Sequence, residues 1–311
     1  MTTPSTSFSD RREALVDGEF AFTSADFKRI AALLYDQAGI SLPDSKATLV
    51  YSRLAKRLRT LGLKSFAEYC AFVAQDGNVD EQQHMLRALT TNVTRFFREP
   101  HHFDDLRANI LEPMADKVRA GGRLRLWSAA CSSGQEPYSM AFTVLSVWPN
   151  AAELDIRILG TDIDTNVLAT GRAAVYEEQL LEGIPANMRS QYFERDANDR
   201  RSFRVCEAAR QMVAFRELNL NGPSWPMKGP FDAIFCRNVV IYFDEPTQER
   251  VWQRFAPLVS PGFGQKYSTT PPPLRAMATM SRLKNVPALS CCCCWFWPTR
   301  VGTGWMRSVT S

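Results

Sequence analysis

Four short stretches carry the side chains best suited to chemistry. Cys131-Ser-Ser-Gly-Gln-Glu-Pro-Tyr138 places Glu136 just past Gly134, and Gly160-Thr-Asp-Ile-Asp164 holds Asp162 and Asp164. Cys236-Arg-Asn-Val-Val-Ile-Tyr-Phe-Asp244 offers Arg237, Asn238 and Tyr242, and Thr90-Thr-Asn-Val-Thr-Arg-Phe-Phe-Arg98 offers Asn92, Thr94 and Arg98. Gly134 permits a tight turn into a helix and Pro137 suits a helix start. A dinucleotide site places its pyrophosphate at such a start and needs bare backbone N–H groups there. Glu136 occupies that spot and repels phosphate, which disfavours NAD-dependent oxidoreduction. A carboxylate here suits a ligand bearing an ammonium and a sulfonium, which favours S-adenosylmethionine. Asp162 is placed to accept hydrogen bonds from ribose hydroxyls. Asp164 is equally suited to capping the next helix. Tyr242 fits either a ligand contact or a core aromatic.

These stretches need elements to hold them. Residues 23–89 have helical periodicity. Thr23 or Ser24 can cap a helix carrying Phe27, Ile30, Leu33 and Leu34 that ends near Gly39. Asp44 can cap a second, with Ala47, Val50, Leu54, Leu58 and Leu61 on one face and Gly62 as its stop. Ser65 opens a third and a fourth runs near Glu81 to Leu89. From Arg123 strands alternate with helices: strands at 123–130, 154–160 and 231–236, helices at 137–148, 166–174 and 245–258. That alternation implies an α/β fold, a doubly wound parallel sheet behind an all-helical domain. In such sheets ligands bind beyond the carboxyl ends of the strands, where three of the four stretches fall. Between Val175 and Leu220 the alternation breaks, and Phe203–Cys206 and Met212–Phe215 are expected to pair as a small antiparallel sheet. The expected domains are a disordered 1–20, a helical 21–90, a cofactor-binding 91–262 with its β insert at about 190–217, and a tail at 263–311.

Composition narrows the partners. The chain has 311 residues with 45% hydrophobic, enough for two domains. Its net charge of +4 comes from the end: Gly262–Ser311 has six basic residues and no acid, which leaves 31 basic against 33 acidic residues in 1–261. Nucleic acid is therefore not an expected partner. No apolar run approaches the ~20 residues of a membrane span, and the Thr/Ser-rich start lacks the order of a signal peptide. Cys70, Cys131, Cys206 and Cys236 are scattered, and Cys291–Cys294 are consecutive. Neither pattern has metal-ligand spacing, so no metal is expected and reduced, buried thiols in a cytoplasmic protein are.

Thr91-Asn-Val-Thr-Arg-Phe-Phe-Arg-Glu99, Ser128-Ala-Ala-Cys-Ser-Ser-Gly-Gln-Glu-Pro-Tyr-Ser139, Gly160-Thr-Asp-Ile-Asp164 and Phe235-Cys-Arg-Asn-Val-Val-Ile-Tyr-Phe243, in that order, resemble the CheR-type chemotaxis receptor methyltransferases. The resemblance runs from about Thr23 to Gly262. It implies a Rossmann-like methyltransferase fold using S-adenosylmethionine, a monomer acting on cytoplasmic helices of chemoreceptors. By position it implies that Asn92, Thr94 and Arg98 contact the cofactor, with Arg98 also near the transferred methyl. Glu136 would bind the methionine part, Asp162 the ribose, and Asn219 and Leu220 would flank the adenine. Arg237 and Asn238 would complete the pocket and Tyr242 would face the reaction centre, making Arg98 and Tyr242 the catalytic pair. The product would be a glutamate methyl ester. Glutamate, with an ordinary pKa of ~4.3, is already ionised at neutral pH, so no catalytic base is needed.

On the second helix Lys46, Arg53 and Arg57 form a stripe, with Lys56 and Arg59 further round. It reads either as a solvated face or as an electropositive surface for an acidic receptor helix, in which case Arg53, Arg57 and Arg59 bind substrate. After Gly262 the sequence leaves the family pattern, which continues with strands that finish the sheet. It runs instead through Phe263-Gly-Gln-Lys266, three prolines, four cysteines and Trp295-Phe-Trp297. That reads as out-of-frame translation giving a poorly ordered tail and reduced stability. Two other functions compete: a methyltransferase acting on a small molecule or RNA, and a cofactor-binding regulatory module without transfer.

Overall fold

A computed structural model describes residues 15–260, apart from 17, 76 and 91. The expectations for the tail, for Cys291–Cys294 and for residues 1–14 lie outside the described residues. Four helices come first: α1 (Ser24–Ala38), α2 (Ala47–Leu61), α3 (Phe66–Val73) and α4 (Val79–Leu89). Thr23 caps α1 by a reciprocal pair, its hydroxyl accepting from the Asp26 N–H while the Asp26 carboxylate accepts from the Thr23 N–H. Gly39 and Gly62 end α1 and α2 in the left-handed conformation. Asp44 does not cap α2; it opens a single 3₁₀ turn, Asp44–Lys46, and the helix grows out of that turn. The apolar faces meet in one core through Ile30, Leu34, Val50, Leu54, Leu58, Phe66 and Leu86. Phe20 belongs to this core at 8% exposure, so the expected disorder of 1–20 does not extend to it.

The second domain opens with α5 (His101–Leu106) and α6 (Ala115–Arg119). Strands β1 (Leu124–Ala129) and β2 (Ile156–Asp162) flank α7 (Gln135–Val147), and α8 (Thr165–Ala173) follows β2. After the insert come β6 (Val213–Glu217), β7 (Ala233–Cys236) and α11 (Glu245–Phe255). The main sheet has the order β6-β2-β1-β7, and every pair in it is parallel. Alternation along β1 explains why helices cover both faces. Leu124 and Leu126 join the core containing α7 and α8, whereas Trp127 and Ala129 join a separate core with Phe255 of α11. This is the doubly wound, Rossmann-like architecture, and its strand order reverses direction between β1 and β7.

The insert differs from expectation. Its antiparallel sheet has the order β3-β5-β4, from β3 (Val175–Glu177), β4 (Phe193–Arg195) and β5 (Ser202–Val205). Helix α9 (Ala186–Tyr192) precedes β4 and α10 (Glu207–Met212) follows β5. The Met212–Phe215 run does not pair with Phe203–Cys206: Val213–Phe215 lie in β6, an edge strand of the main sheet beside β2. The small sheet thus spans 175–205 rather than 190–217. Helix α10 separates the two runs, and its Ala209 and Met212 are buried in the α7 core, which carries the chain back to the main sheet.

Candidate active site at the carboxyl ends of the strands

The strand ends and the helical domain enclose a cavity of about 450 Å³, within the usual range for small-molecule sites. The loop after β1 contributes Ala130, Cys131 and Ser132, and α7 contributes Glu136. Asp162 and Ile163 follow β2, Leu218, Asn219 and Leu220 follow β6, and Arg237, Asn238 and Tyr242 follow β7. The domain junction adds Asn92, Thr94 and Arg98, and the helical domain adds Ser41, Leu42, Pro43, Lys46, Leu49 and Arg53. One cavity therefore gathers all the expected cofactor residues, Tyr242 and Arg53. Arg57 and Arg59 do not line it.

The turn between β1 and α7 depends on Gly134. Its φ is +94°, and an added Cβ would come within 3.0 Å of the Gly171 backbone, Phe215 and Tyr176. The helix begins at Gln135, two residues before the expected Pro137, so Glu136 lies in its first turn, where a negative charge is favoured. Burial pushes the Glu136 carboxyl up from its ordinary value, against the opposing pull of Arg237 and of the Ser128 hydroxyl. Ser128 Oγ donates to one carboxylate oxygen at 2.7 Å, and Arg237 Nη1 lies 3.2 Å from the other.

Asp162 is fixed from both sides. Its Oδ2 accepts from the Ser132 N–H at 2.8 Å and its Oδ1 from the Asp164 N–H at 3.0 Å. Burial raises its pKa, and these backbone donors act against the rise. Each oxygen keeps a lone pair for a further donor. Asp164 is the cap of α8, accepting from the Asn166 N–H, and it also receives Asn92 Nδ2 at 2.9 Å. Asn219 donates to the Gln37 carbonyl, which ties the β6 loop to α1. Arg98 is partly exposed and its Nη1 donates to the Val93 carbonyl. Val93 and Ile241 line the cavity yet are 77% and 56% exposed, so they mark its opening.

The basic stripe on α2 is not a uniform cationic face. Arg57 is spent on Glu81, with Nε 2.8 Å from Oε1, and Tyr69 donates to the same carboxylate. Glu81 is buried at 4% exposure, so this pair serves the helical core. Arg53 Nη1 donates to the carbonyls of Ala88, Leu89 and Thr90 at the end of α4, and Arg59 pairs with exposed Glu19. Sequence reasoning gave no role to Ser128 or Ser132, which orient the two carboxylates, nor to Glu99 and His102, which pack behind Arg237. Glu99, Ser128 and Ser132 stand inside the quoted motifs, and the three-residue spacing of Glu99 and His102 at a helix start was an unused signal for their contact.

The residues fit S-adenosylmethionine. Glu136 supplies an anion for an ammonium, Asp162 supplies acceptors for a diol, and Ile163, Leu218 and Leu220 supply apolar surface for a base. Two family models match most of the chain: CheR methyltransferase, all-alpha domain, matches residues 25–90, and CheR methyltransferase, SAM binding domain, matches residues 92–263. A probable chemotaxis protein methyltransferase of Rhizobium etli is 53% identical over 231 residues, covering 74% of this chain and 86% of that protein. Chemotaxis protein methyltransferase 2 of Pseudomonas aeruginosa is 46% identical, covering 78% and 85%. The chemotaxis protein methyltransferase of Escherichia coli is 41% identical, covering 78% and 82%.

Proposed function

The chain belongs to the CheR methyltransferase family, and from that premise we propose that it methylates glutamate side chains on cytoplasmic helices of chemoreceptors. The products are glutamate methyl esters and S-adenosylhomocysteine, and the enzyme works in the cytoplasm as a monomer. The observation that carries this reading is the joining of Glu136 and Asp162 in one cavity whose opening is lined by Arg98, Val93 and Ile241. When bound, S-adenosylmethionine supplies an electrophilic methyl group. Glu136, Asp162, Asn219, Leu220 and Asn238 hold the cofactor, with Asn92 and Thr94 closing over it from the junction. Arg98 takes the incoming carboxylate in a charge-assisted hydrogen bond, and Tyr242 borders the same space. A carboxylate ionised at neutral pH attacks without a base, so the protein's task is alignment, which is worth roughly 7–11 kcal/mol. Lys46 and Arg53 beside the cavity give the helical domain positive charge toward an acidic receptor helix, and Arg59 would add to it only on exchanging Glu19 for a receptor carboxylate.

The test is transfer of labelled methyl groups from S-adenosylmethionine to receptor-containing membranes, followed by base treatment. Base-labile label released as methanol, and its loss in Arg98→Ala well beyond any weakening of S-adenosylhomocysteine binding, is the expected result. Base-stable label, or binding of the homocysteine product with no transfer at all, overturns the proposal.

A further inference from the structure

Glu99 ends the junction segment but does not itself line the cavity. Its Oε2 is 3.0 Å from Arg237 Nη2 and 3.3 Å from His102 Nε2. Arg237 has only 2% of its side chain exposed and reaches Glu136 with its other terminal nitrogen. Its guanidinium lies 5.5 Å from the ring centre of Phe103 and 5.9 Å from that of Phe235, and Nη2 also donates to the Arg98 carbonyl. Glu99 holds this place with a left-handed backbone, at φ +55°, a conformation that is strained for a residue with a side chain.

Two carboxylates thus share one buried guanidinium. With Glu99 absent, Arg237 would serve Glu136 alone and cancel its charge, leaving little field for a cationic ligand. With Glu99 present, Arg237 divides its charge between two carboxylates and its planar fork is held between acceptors on both sides, while Arg98, 4.0 Å from the other Glu99 oxygen, is partly exposed and screened by water. His102 adds no charge of its own at neutral pH, because burial and the nearby Arg237 depress its basicity.

We propose that Glu99 is a positioning residue for the cofactor: by engaging Arg237 from behind, it keeps that guanidinium from being spent on Glu136 alone and holds its fork in place beside the amino-acid end of S-adenosylmethionine. This rests on the assignment of the cavity as the cofactor site. The effect is confined to the part of the ligand that carries the ammonium. S-adenosylhomocysteine has that part, and 5′-methylthioadenosine lacks it while keeping the adenosine.

Titration calorimetry of the full chain with both ligands tests the idea. Glu99→Gln is expected to weaken S-adenosylhomocysteine by ~10-fold, or about 1.4 kcal/mol, and to leave 5′-methylthioadenosine within ~2-fold, or about 0.4 kcal/mol. In an Arg237→Gln background the same change is expected to add nothing, since its route is gone. Equal weakening of both ligands, no weakening of either, or the same loss in the Arg237→Gln background each overturns the proposal. If Glu99→Gln does not fold, Glu99→Asp, which withdraws the carboxylate by one methylene, goes through the same cycle, and the same three results overturn the proposal. Failure of the unaltered protein to bind either ligand would overturn the cofactor assignment, and the inference with it.

Discussion

His102 gives this protein a pH dependence that one substitution removes. The imidazole is 7% exposed. Burial first, then the positive Arg237 and the neighbouring His101, lower it from 6.5 to about 4, with Glu99 pulling the other way. The folded protein therefore keeps His102 neutral where the unfolded chain has begun to protonate it. Stability from this group is complete above the ordinary value of 6.5 and is lost as pH falls toward about 4. At about 1.4 kcal/mol per pH unit, the interval from 6.5 to about 4 amounts to about 3.5 kcal/mol. Glu136 and Asp162 have the opposite sign: burial raises both, so each favours folding less as pH rises. The difference between the parent and His102→Gln isolates the imidazole, because Gln cannot titrate and its amide can still donate to Glu99. Urea unfolding of both proteins from about pH 7.5 down to about pH 4.5 is the assay, and the slope with denaturant checks that the same transition is followed. The parent should lose about 2.5 kcal/mol more than the variant across that range, which stops short of the folded value. Parallel profiles would refute the reasoning, since His102 would then titrate alike in both states.

Two further substitutions test the packing behind the site. Gly134→Ala asks a residue with a Cβ to adopt φ +94° against Gly171, Phe215 and Tyr176; the expected loss is ~1–3 kcal/mol from the backbone alone, read as a lower melting temperature with weaker S-adenosylhomocysteine binding. Glu81→Gln removes the charge facing Arg57 and leaves a single amide oxygen where two carboxylate oxygens served Arg57 and Tyr69. Breaking a buried pair costs about 3 kcal/mol where one partner is a quarter exposed, as Arg57 is. Denaturant unfolding should show that loss, and cofactor affinity of the folded protein should stay unchanged.

The helical domain was legible because its boundaries are written locally. Thr23, Gly39, Gly62 and Ser65 act on residues within one turn of themselves, and each sits where the capping rules place it. The parallel strands were legible for a related reason, since β1 and β2 are short β-prone runs, each followed directly by a helical period. Strand β6 was misread because its partner is not local. Val213–Phe215 pair with Ile158–Gly160, across the whole insert, whereas the nearer Phe203 belongs to another sheet. The same distinction divides the site. Glu136 and Asp162 could be found because each terminates or follows a recognisable strand. Glu99 could not be given its place, because its partner Arg237 lies 138 residues away. Arg57 was misjudged likewise: helical periodicity put it on a basic stripe, but only the fold brings Glu81 beside it.

Backbone strain around the cavity shows why its loops need so much support. Phe97, Glu99, Ala130, Ser132 and Asn238 all have left-handed φ values without being glycine. They fall in the junction segment and in the loops after β1 and β7. At ~1–3 kcal/mol each, such conformations do not persist on local preference. Each loop is instead held from outside itself. The Phe97 N–H donates to Ser139 of α7, and its ring packs against Phe103 and Phe142. Ser132 donates its N–H to Asp162 and its hydroxyl to the Asn92 carbonyl. The last bond joins the junction segment to the β1 loop, and the first joins that loop to β2. A sequence change that relaxed any one of these residues would gain local stability and loosen the geometry at the carboxylates. The strain is therefore concentrated where the cofactor residues must be fixed, and the sheet and α7 supply the bonds that sustain it.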